Sequence, residues 1–172
     1  MAFNVQNDDG TVVDANAYID EAYFRAYWAD KNVDVSAMDQ ATIEGLIVEA
    51  TQYIDQRFTY NGFPLNGRDQ TTSFPRSGLC DKNGYEVTGI PREVKQSCAE
   101  YAYAGQSNPL SAFYSAEDQN IKSEMNKVSV LEERIEYNGA KVSASTWSIY
   151  QLADTMLTDS GFVNQYIGSA RA

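Results

Sequence analysis

The sequence predicts a mainly α fold: a mostly helical, acidic domain with one long structured loop and a short β-strand or hairpin excursion. Three observations predict it. Residues 39–60 carry apolar side chains at helical spacing, and residues 91–105 repeat that pattern behind a proline. Between them, Tyr60 to Pro91 is a run of turn chemistry, YNGFPLNGRDQTTSFPRSGLCDKNGYEVTGIP. At 172 residues the chain is long enough for one domain with a real core and too short for two comfortable ones. The expected layout is a single domain over 1–172, with a helical core over about 18–158, an N-terminal arm at 1–17 and a C-terminal tail at 161–172.

Residues 1–17 are polar, with an Asp8-Asp9-Gly10 turn and a Thr11-Val12-Val13 run that reads as a short strand or an extended arm, mobile unless docked. Asp20 is the expected N-cap of a helix over Glu21–Lys31, with an acid in its first turn and a base in its last, both favourable to the helix dipole. Tyr23, Ala26, Tyr27 and Asp30 share one face, with Phe24 and Trp28 beside it. A core-packing face is the reading, and an aromatic binding surface the alternative. Asp39 caps the strongest element, a helix from Gln40 to about Tyr60. Its stripe of Ile43, Leu46, Ile47, Ala50, Ile54 and Phe58 falls at spacings of three and four, leaving Glu44, Glu49, Gln52, Asp55 and Gln56 outside. Asn61-Gly62 supplies a left-handed stop.

In the loop, Asn61-Gly62, Asn66-Gly67, Ser77-Gly78 and Asn83-Gly84 are turn dipeptides, while Pro64, Pro75 and Pro91 fix backbone angles and remove donors. A connection this long is functional, disordered or folded on itself, and we expect the third, with a functional surface. Two extended runs, Gln70–Phe74 and Tyr85–Val87, flank Asp81-Lys82-Asn83-Gly84, which suits a hairpin pinned by Phe74 and Tyr85. Phe74, Pro75, Arg76 and Tyr85 are the expected loop anchor and subunit interface, with the Arg76 guanidinium bridging several acceptors.

Pro91 suits the first position of the next helix, whose inner face is Val94, Cys98, Tyr101 and Ala102 and whose end is Gly105; Asn108-Pro109 prevents a restart. The expected core is therefore Ile43, Leu46, Ile47, Ile54, Phe58, Val94 and Tyr101. Residues 110–118 read as a helical turn. From Ile121 the period is roughly two, through Met125, Val128, Val130, Leu131, Ile135 and Tyr137, so one or two strands are expected, bulged near Val130-Leu131 and paired within or between subunits. A last helix from about Ser145 to Leu157 collects Trp147, Tyr150, Leu152, Ala153, Met156 and Leu157 on one side, and Gly161 breaks it. Phe162, Val163, Tyr166 and Ile167 then have no partner nearby in sequence, so the tail either folds back or docks onto a neighbour.

Charge excludes more than it proposes. The chain carries 24 acids and 13 bases, net −11. Residues 1–59 hold eleven acids and three bases (−8), 60–92 three and four (+1), and 93–172 ten and six (−4). Such a balance repels a phosphate backbone unless a basic patch is segregated, and only the loop is near neutral. There is no histidine, which removes histidine-dependent catalysis and most zinc sites; two cysteines, Cys80 and Cys98, cannot supply a structural zinc. No dinucleotide fingerprint, phosphate loop or calcium loop is present. Neighbouring carboxylates such as Glu132-Glu133 on a strand point to opposite faces, as solvated side chains do. No cofactor, metal site or enzymatic activity is expected. The start of the chain lacks the pattern of a secretory signal and no apolar stretch is long enough to cross a bilayer, so manufacture in the cytoplasm, reduced thiols and no membrane partner are the expectations.

Several blocks occur in one order: DANAYIDEAYFRAYWADKN, IEGLIVEATQYIDQRF, the run Phe74-Pro75-Arg76-Ser77-Gly78 with Asp81 and Gly84 behind it, and Ile90-Pro91 followed by Val94-Lys95-Gln96 and Glu100-Tyr101-Ala102. Together they resemble the head–tail adaptor, or head-completion, proteins of tailed bacteriophages, often labelled "putative DnaT-like single-stranded-DNA-binding proteins". The resemblance covers about residues 10–105 and is looser over 120–158. It implies a helical bundle that assembles as a homo-oligomeric ring, a dodecamer in the family, beneath the portal protein in the virion neck. Such a ring extends the channel, passes double-stranded DNA without specific binding, and presents a platform to the tail or to a stopper or nozzle protein. It also implies that a C-terminal segment grips the portal, here Phe162, Val163, Tyr166, Ile167 and Arg171. The competing reading, a single-stranded-DNA-binding replication accessory, needs Arg68, Arg76, Lys82 and Arg92 to form a groove with Phe74 and Tyr85 stacking on bases. The aromatic loading of Tyr23, Phe24, Tyr27 and Trp28 is not explained by the resemblance.

Overall fold

Asp20 and Asp39 start the first two helices by the same chemistry: each carboxylate accepts an amide hydrogen of the first turn, from Tyr23 and Thr42 respectively. The structure, a computed structural model, describes residues 2–107, 110, 124–128, 131–135 and 150–166. In chain order its elements are α1 (Glu21–Asp30), α2 (Gln40–Arg57), β1 (Phe58–Tyr60), β2 (Phe63–Pro64), a single 3-10 turn at Gly67–Asp69, β3 (Arg76–Ser77), α3 (Arg92–Gly105), β4 (Glu124–Val128), β5 (Leu131–Ile135), α4 (Gln151–Thr158) and β6 (Val163–Tyr166). The chain divides into two compact units, residues 1–110 with 148–172, and residues 111–147.

In the larger unit α2 packs on α3, and α3 on α4. Ile43, Ile47, Ala50 and Ile54 of α2 meet Val94, Cys98, Tyr101 and Ala102 of α3, all fully buried. Burial pushes the Cys98 thiol up to about 12, which keeps it protonated and inert. Leu46 is only half-buried at the edge of the stripe. A partly buried ion pair ties the three helices: Arg57 of α2 donates to Asp154 of α4 at 2.9 Å, and Tyr101 of α3 donates to the other oxygen of that carboxylate. The aromatic side chains of α1 mostly pack inward. Phe24 and Trp28 are buried, Trp28 lies 4.3 Å from the Tyr103 ring, and Tyr27 donates to Glu100 of α3 at 2.7 Å while Lys31 pairs with the same carboxylate.

The expected helical bundle is not the fold observed. Among the described residues the architecture is mixed α and β, with four α-helices and three two-stranded antiparallel pairings, β1–β6, β2–β3 and β4–β5. The physical reason is that α1 and α4, at 10 and 8 residues, are too short to line a bundle. Extended segments fill the space: Tyr18, Phe58, Tyr60, Phe74, Leu79, Ile90 and Phe162 all enter the core from outside the helices. Each contributes one or two side chains with no helical period, which a periodicity reading does not count. The second helix correspondingly ends at Arg57, three residues early, because Phe58 and Tyr60 alternate inward on a strand.

Other boundaries move for local reasons. Pro91 is the N-cap of α3 and not its first residue. The last helix is described from Gln151, with Leu152 54% exposed and so off the buried face; the expected Ser145–Ser148 start and Trp147 lie outside the described residues. The arm is docked: Gln6 donates its backbone amide to Ala17 and its side chain to Thr72, and Ala15, Ala17, Tyr18 and Ile19 are buried. In the smaller unit β4 and β5 pair antiparallel with Val128 opposite Leu131, so there are two strands and their pairing is within the chain. The expected helical turn at 110–118 lies almost wholly outside the described residues. No helix among those described is long and apolar enough to cross a membrane.

Candidate functional site

The loop of residues 61–91 is folded on itself, and Arg76 is the side chain that closes it. From β3 its Nε donates to Asn61 O at 2.7 Å, Nη1 to Ser73 O at 3.0 Å, and Nη2 to Gly62 O at 2.7 Å and Tyr60 O at 3.3 Å. A planar guanidinium with donors in a fixed fork suits carbonyls converging from several strands, and here it satisfies the edge left when β1 turns into β2. The turn is possible because Gly62 sits at φ +70°, where a Cβ would collide with the Ser77 carbonyl.

A buried carboxylate holds the other side of the loop. Tyr18 donates to Asp55 Oδ1, Ser73 donates its amide to Asp55 Oδ2 at 3.2 Å, and the Phe74 amide donates to the Tyr18 hydroxyl at 3.2 Å. Burial pushes the Asp55 carboxyl up to about 6 against the opposing effect of these donors. Asp55 therefore does not belong to the solvated back of α2, where its spacing from the apolar stripe placed it. Phe74 is fully buried against Tyr18 and Tyr60, with ring centroids 6.0 and 4.7 Å away, and Pro75 follows it across a cis bond.

Tyr85 stands apart from its expected partners. It is 73% exposed at the tip of a small hairpin in which Val87 donates to Leu79 O and Asp81 N to Tyr85 O, so the hairpin's strands are 79–81 and 85–87 and not 70–74 with 85–87. That hairpin is stitched to the tail: Lys82 N donates to Ser160 O at 2.8 Å, and Gly161, at φ +87°, approaches so closely that a Cβ would lie 2.7 Å from Lys82 N. Between hairpin, α3 and α4 lies a cleft of about 390 Å³ lined by Lys82 and Arg92 but also by Asp81, Glu93 and Asp159.

The tail folds back as far as it is described. Phe162 is 1% exposed in the core, and β6 pairs antiparallel with β1, Phe58 opposite Tyr166 and Tyr60 opposite Val163. Of the five residues read as a portal grip, Phe162 is thus enclosed and Val163 half-buried in this structure, Tyr166 is in the strand, and Ile167 and Arg171 lie outside the described residues.

The six-residue groove required for single-stranded DNA is not assembled. Phe74 is in the core and Arg76 is spent on carbonyls, which leaves Arg68, Lys82 and Arg92 as exposed cations with Tyr85. What sequence reasoning missed is the outer face of β2. Phe63, at the start of β2, is 77% exposed, and Leu65, in the turn that follows the strand, is 46% exposed. The FPL alternation inside the loop was the available signal. No group of three or more potential metal ligands occurs among the described residues.

A family model described as "Putative DnaT-like ssDNA binding protein" matches residues 1–169 of the chain. No curated protein and no solved structure matches it.

Proposed function

Because the chain belongs to the DnaT-like family over nearly its whole length, we propose for it the structural role that its resemblance to phage head–tail adaptors implies: a non-enzymatic subunit of a ring in the virion neck, between portal and tail. The observation that carries this reading is a loop locked by Arg76 and Asp55 that nevertheless holds large apolar side chains in water, Phe63 at 77% and Tyr85 at 73% exposure. Rigid, preorganised apolar side chains suit a permanent protein contact, because little ordering entropy remains to be lost on docking. A net charge of −11 has the sign a conduit needs if duplex DNA is to slide through without sticking. The portal and a tail, stopper or nozzle component are the partners on the two rims.

A second reading is favoured by the family's own description, which names single-stranded DNA. For that function the loop offers the exposed cations Arg68 and Lys82 with the exposed Tyr85, and the start of α3 adds Arg92, while Asp69, Asp81, Glu86 and Glu93 are interspersed. That is a weak electrostatic footprint for a ligand whose affinity comes from neutralised phosphates. Negative-stain imaging of the protein alone and mixed with its portal, together with anisotropy titrations of labelled single-stranded DNA at rising salt, separates the two. The adaptor reading expects rings with a central hole and DNA binding weaker than about 10 μM at physiological salt. Micromolar or tighter binding with a steep salt slope, and no ring with or without portal, would overturn it.

A further inference from the structure

We propose that the outer face of β2 with the 3-10 turn behind it, Phe63, Leu65 and Arg68, is one half of a heterologous contact whose other half is the outward face of α2 on a second copy of this chain. The inference rests on the ring reading above and names the surfaces that would build it. Two large apolar side chains, Phe63 and Leu65, are exposed two residues apart in the chain, and Arg68, three residues further on, is exposed with no ion-pair partner among the described residues. The occupant follows from charge. In a chain where acids outnumber bases 24 to 13, an unpaired arginine beside an apolar pair is complementary to the rest of its own surface. The acids are concentrated in residues 1–59, at −8, against +1 for residues 60–92. Nucleic acid fits this face poorly, since the patch is more apolar than basic and Asp69 adjoins Arg68.

The outward face of α2 is the acidic surface with room for a ring. Glu44 and Glu49, both half-buried, flank it on either side, and Ala41, Gly45 and Gln52 are exposed on one stripe with Val48 half-buried. Gly45 is in the helix interior, where glycine is the least favourable residue after proline, yet nothing lies within 4 Å of the position its Cβ would take. No contact inside the described chain requires its smallness. A flat spot there lets the Phe63 ring of a neighbour lie against the helix backbone, with Arg68 reaching the acids on either side. Two different surfaces on one subunit give head-to-tail association, the geometry from which rings close.

The test uses two variants, each blind on one side. Phe63→Asp spoils the loop face and Gly45→Trp fills the α2 face; both positions are exposed, so melting profiles close to that of the parent are expected, and Arg68→Glu serves as a second loop variant. Sedimentation velocity should find the parent associated, each variant monomeric, and an equimolar mixture of Phe63→Asp with Gly45→Trp forming a heterodimer and nothing larger, because each supplies the face the other lacks. A parent that stays monomeric would overturn the ring reading and this contact with it. A parent that associates while Phe63→Asp and Arg68→Glu still assemble would overturn the contact alone, as would a mixture that remains monomeric. Loop variants that keep self-association but lose single-stranded DNA would assign the face to nucleic acid instead.

Discussion

Asp55 shows how much one side chain's position decides. Enclosed beneath the loop, its carboxyl is raised to about 6 by burial, above the value of about 3.9 expected of an aspartate in an unfolded chain. A raised folded-state value means that the folded protein holds the proton more tightly, so this group's contribution is present in full below about pH 4 and is lost as pH rises through about 6. The stability of the parent relative to Asp55→Asn should therefore fall by about 1–3 kcal/mol between pH 4 and pH 7, measured by urea denaturation of both at each pH. The comparison isolates Asp55 from Asp8, Asp34, Asp39 and Asp81, whose carboxyls are lowered, chiefly by hydrogen bonds from Ile90, Ser36, Thr42 and Tyr85 respectively, and which act in the opposite sense. Arg76→Ala withdraws a charged donor from the carbonyls of Asn61, Gly62 and Ser73 together and should cost roughly 2–4 kcal/mol; Arg76→Lys should recover only part of it, because an ammonium lacks the planar fork.

Among the elements, β6 carries the clearest expectation. A free tail could be removed without loss, but Phe162 is enclosed in the core and the strand behind it completes the one pairing that β1 makes among the described residues. Phe162→Ala should cost about 3–5 kcal/mol, as buried aromatic truncations do, and deletion of 161–172 should lower the melting temperature steeply or leave the chain unfolded. A truncated protein that melts like the parent would show that β6 is detachable and return the tail to the role of a partner-seeking segment. The segment leading into β6 also bears on the loop: Asn61 N donates to Phe162 O and Asn61 Nδ2 to Gly161 O, so losing residues 161–172 should loosen the Arg76 clamp, which grips the carbonyl of the same Asn61.

For the molecule as a whole, a carboxylate clasp under the loop and an ion pair between helices place its few buried charges at junctions. Asp154 joins α2, α3 and α4, and Asp55 joins α2, the N-terminal segment and the loop. Buried polar contacts of this kind specify an arrangement more than they strengthen it. The apolar loop face is thereby presented in one geometry on a chain of net charge −11, which favours protein association over DNA binding.

The helices are legible in the chain, because their signals are local. Asp20 and Asp39 cap as aspartates before apolar periods do, and Ile43, Ile47, Ala50 and Ile54, like Val94, Cys98 and Tyr101, repeat at the spacing of a buried face. The turns of the Tyr60–Pro91 stretch are legible there as well. Long-range packing set where single apolar residues outside any period would go. Phe74 and Phe162 entered the core while Phe63 and Tyr85 stayed in water, although all four are aromatic residues beside turn-forming neighbours. It likewise decided that Arg76 closes the loop and that Asp55 sits beneath it. Each of those outcomes depends on contacts between residues far apart in the chain, such as Tyr18 with Phe74 and Tyr60 with Val163, and burial energy set by a distant partner leaves no periodic trace in the segment that supplies it.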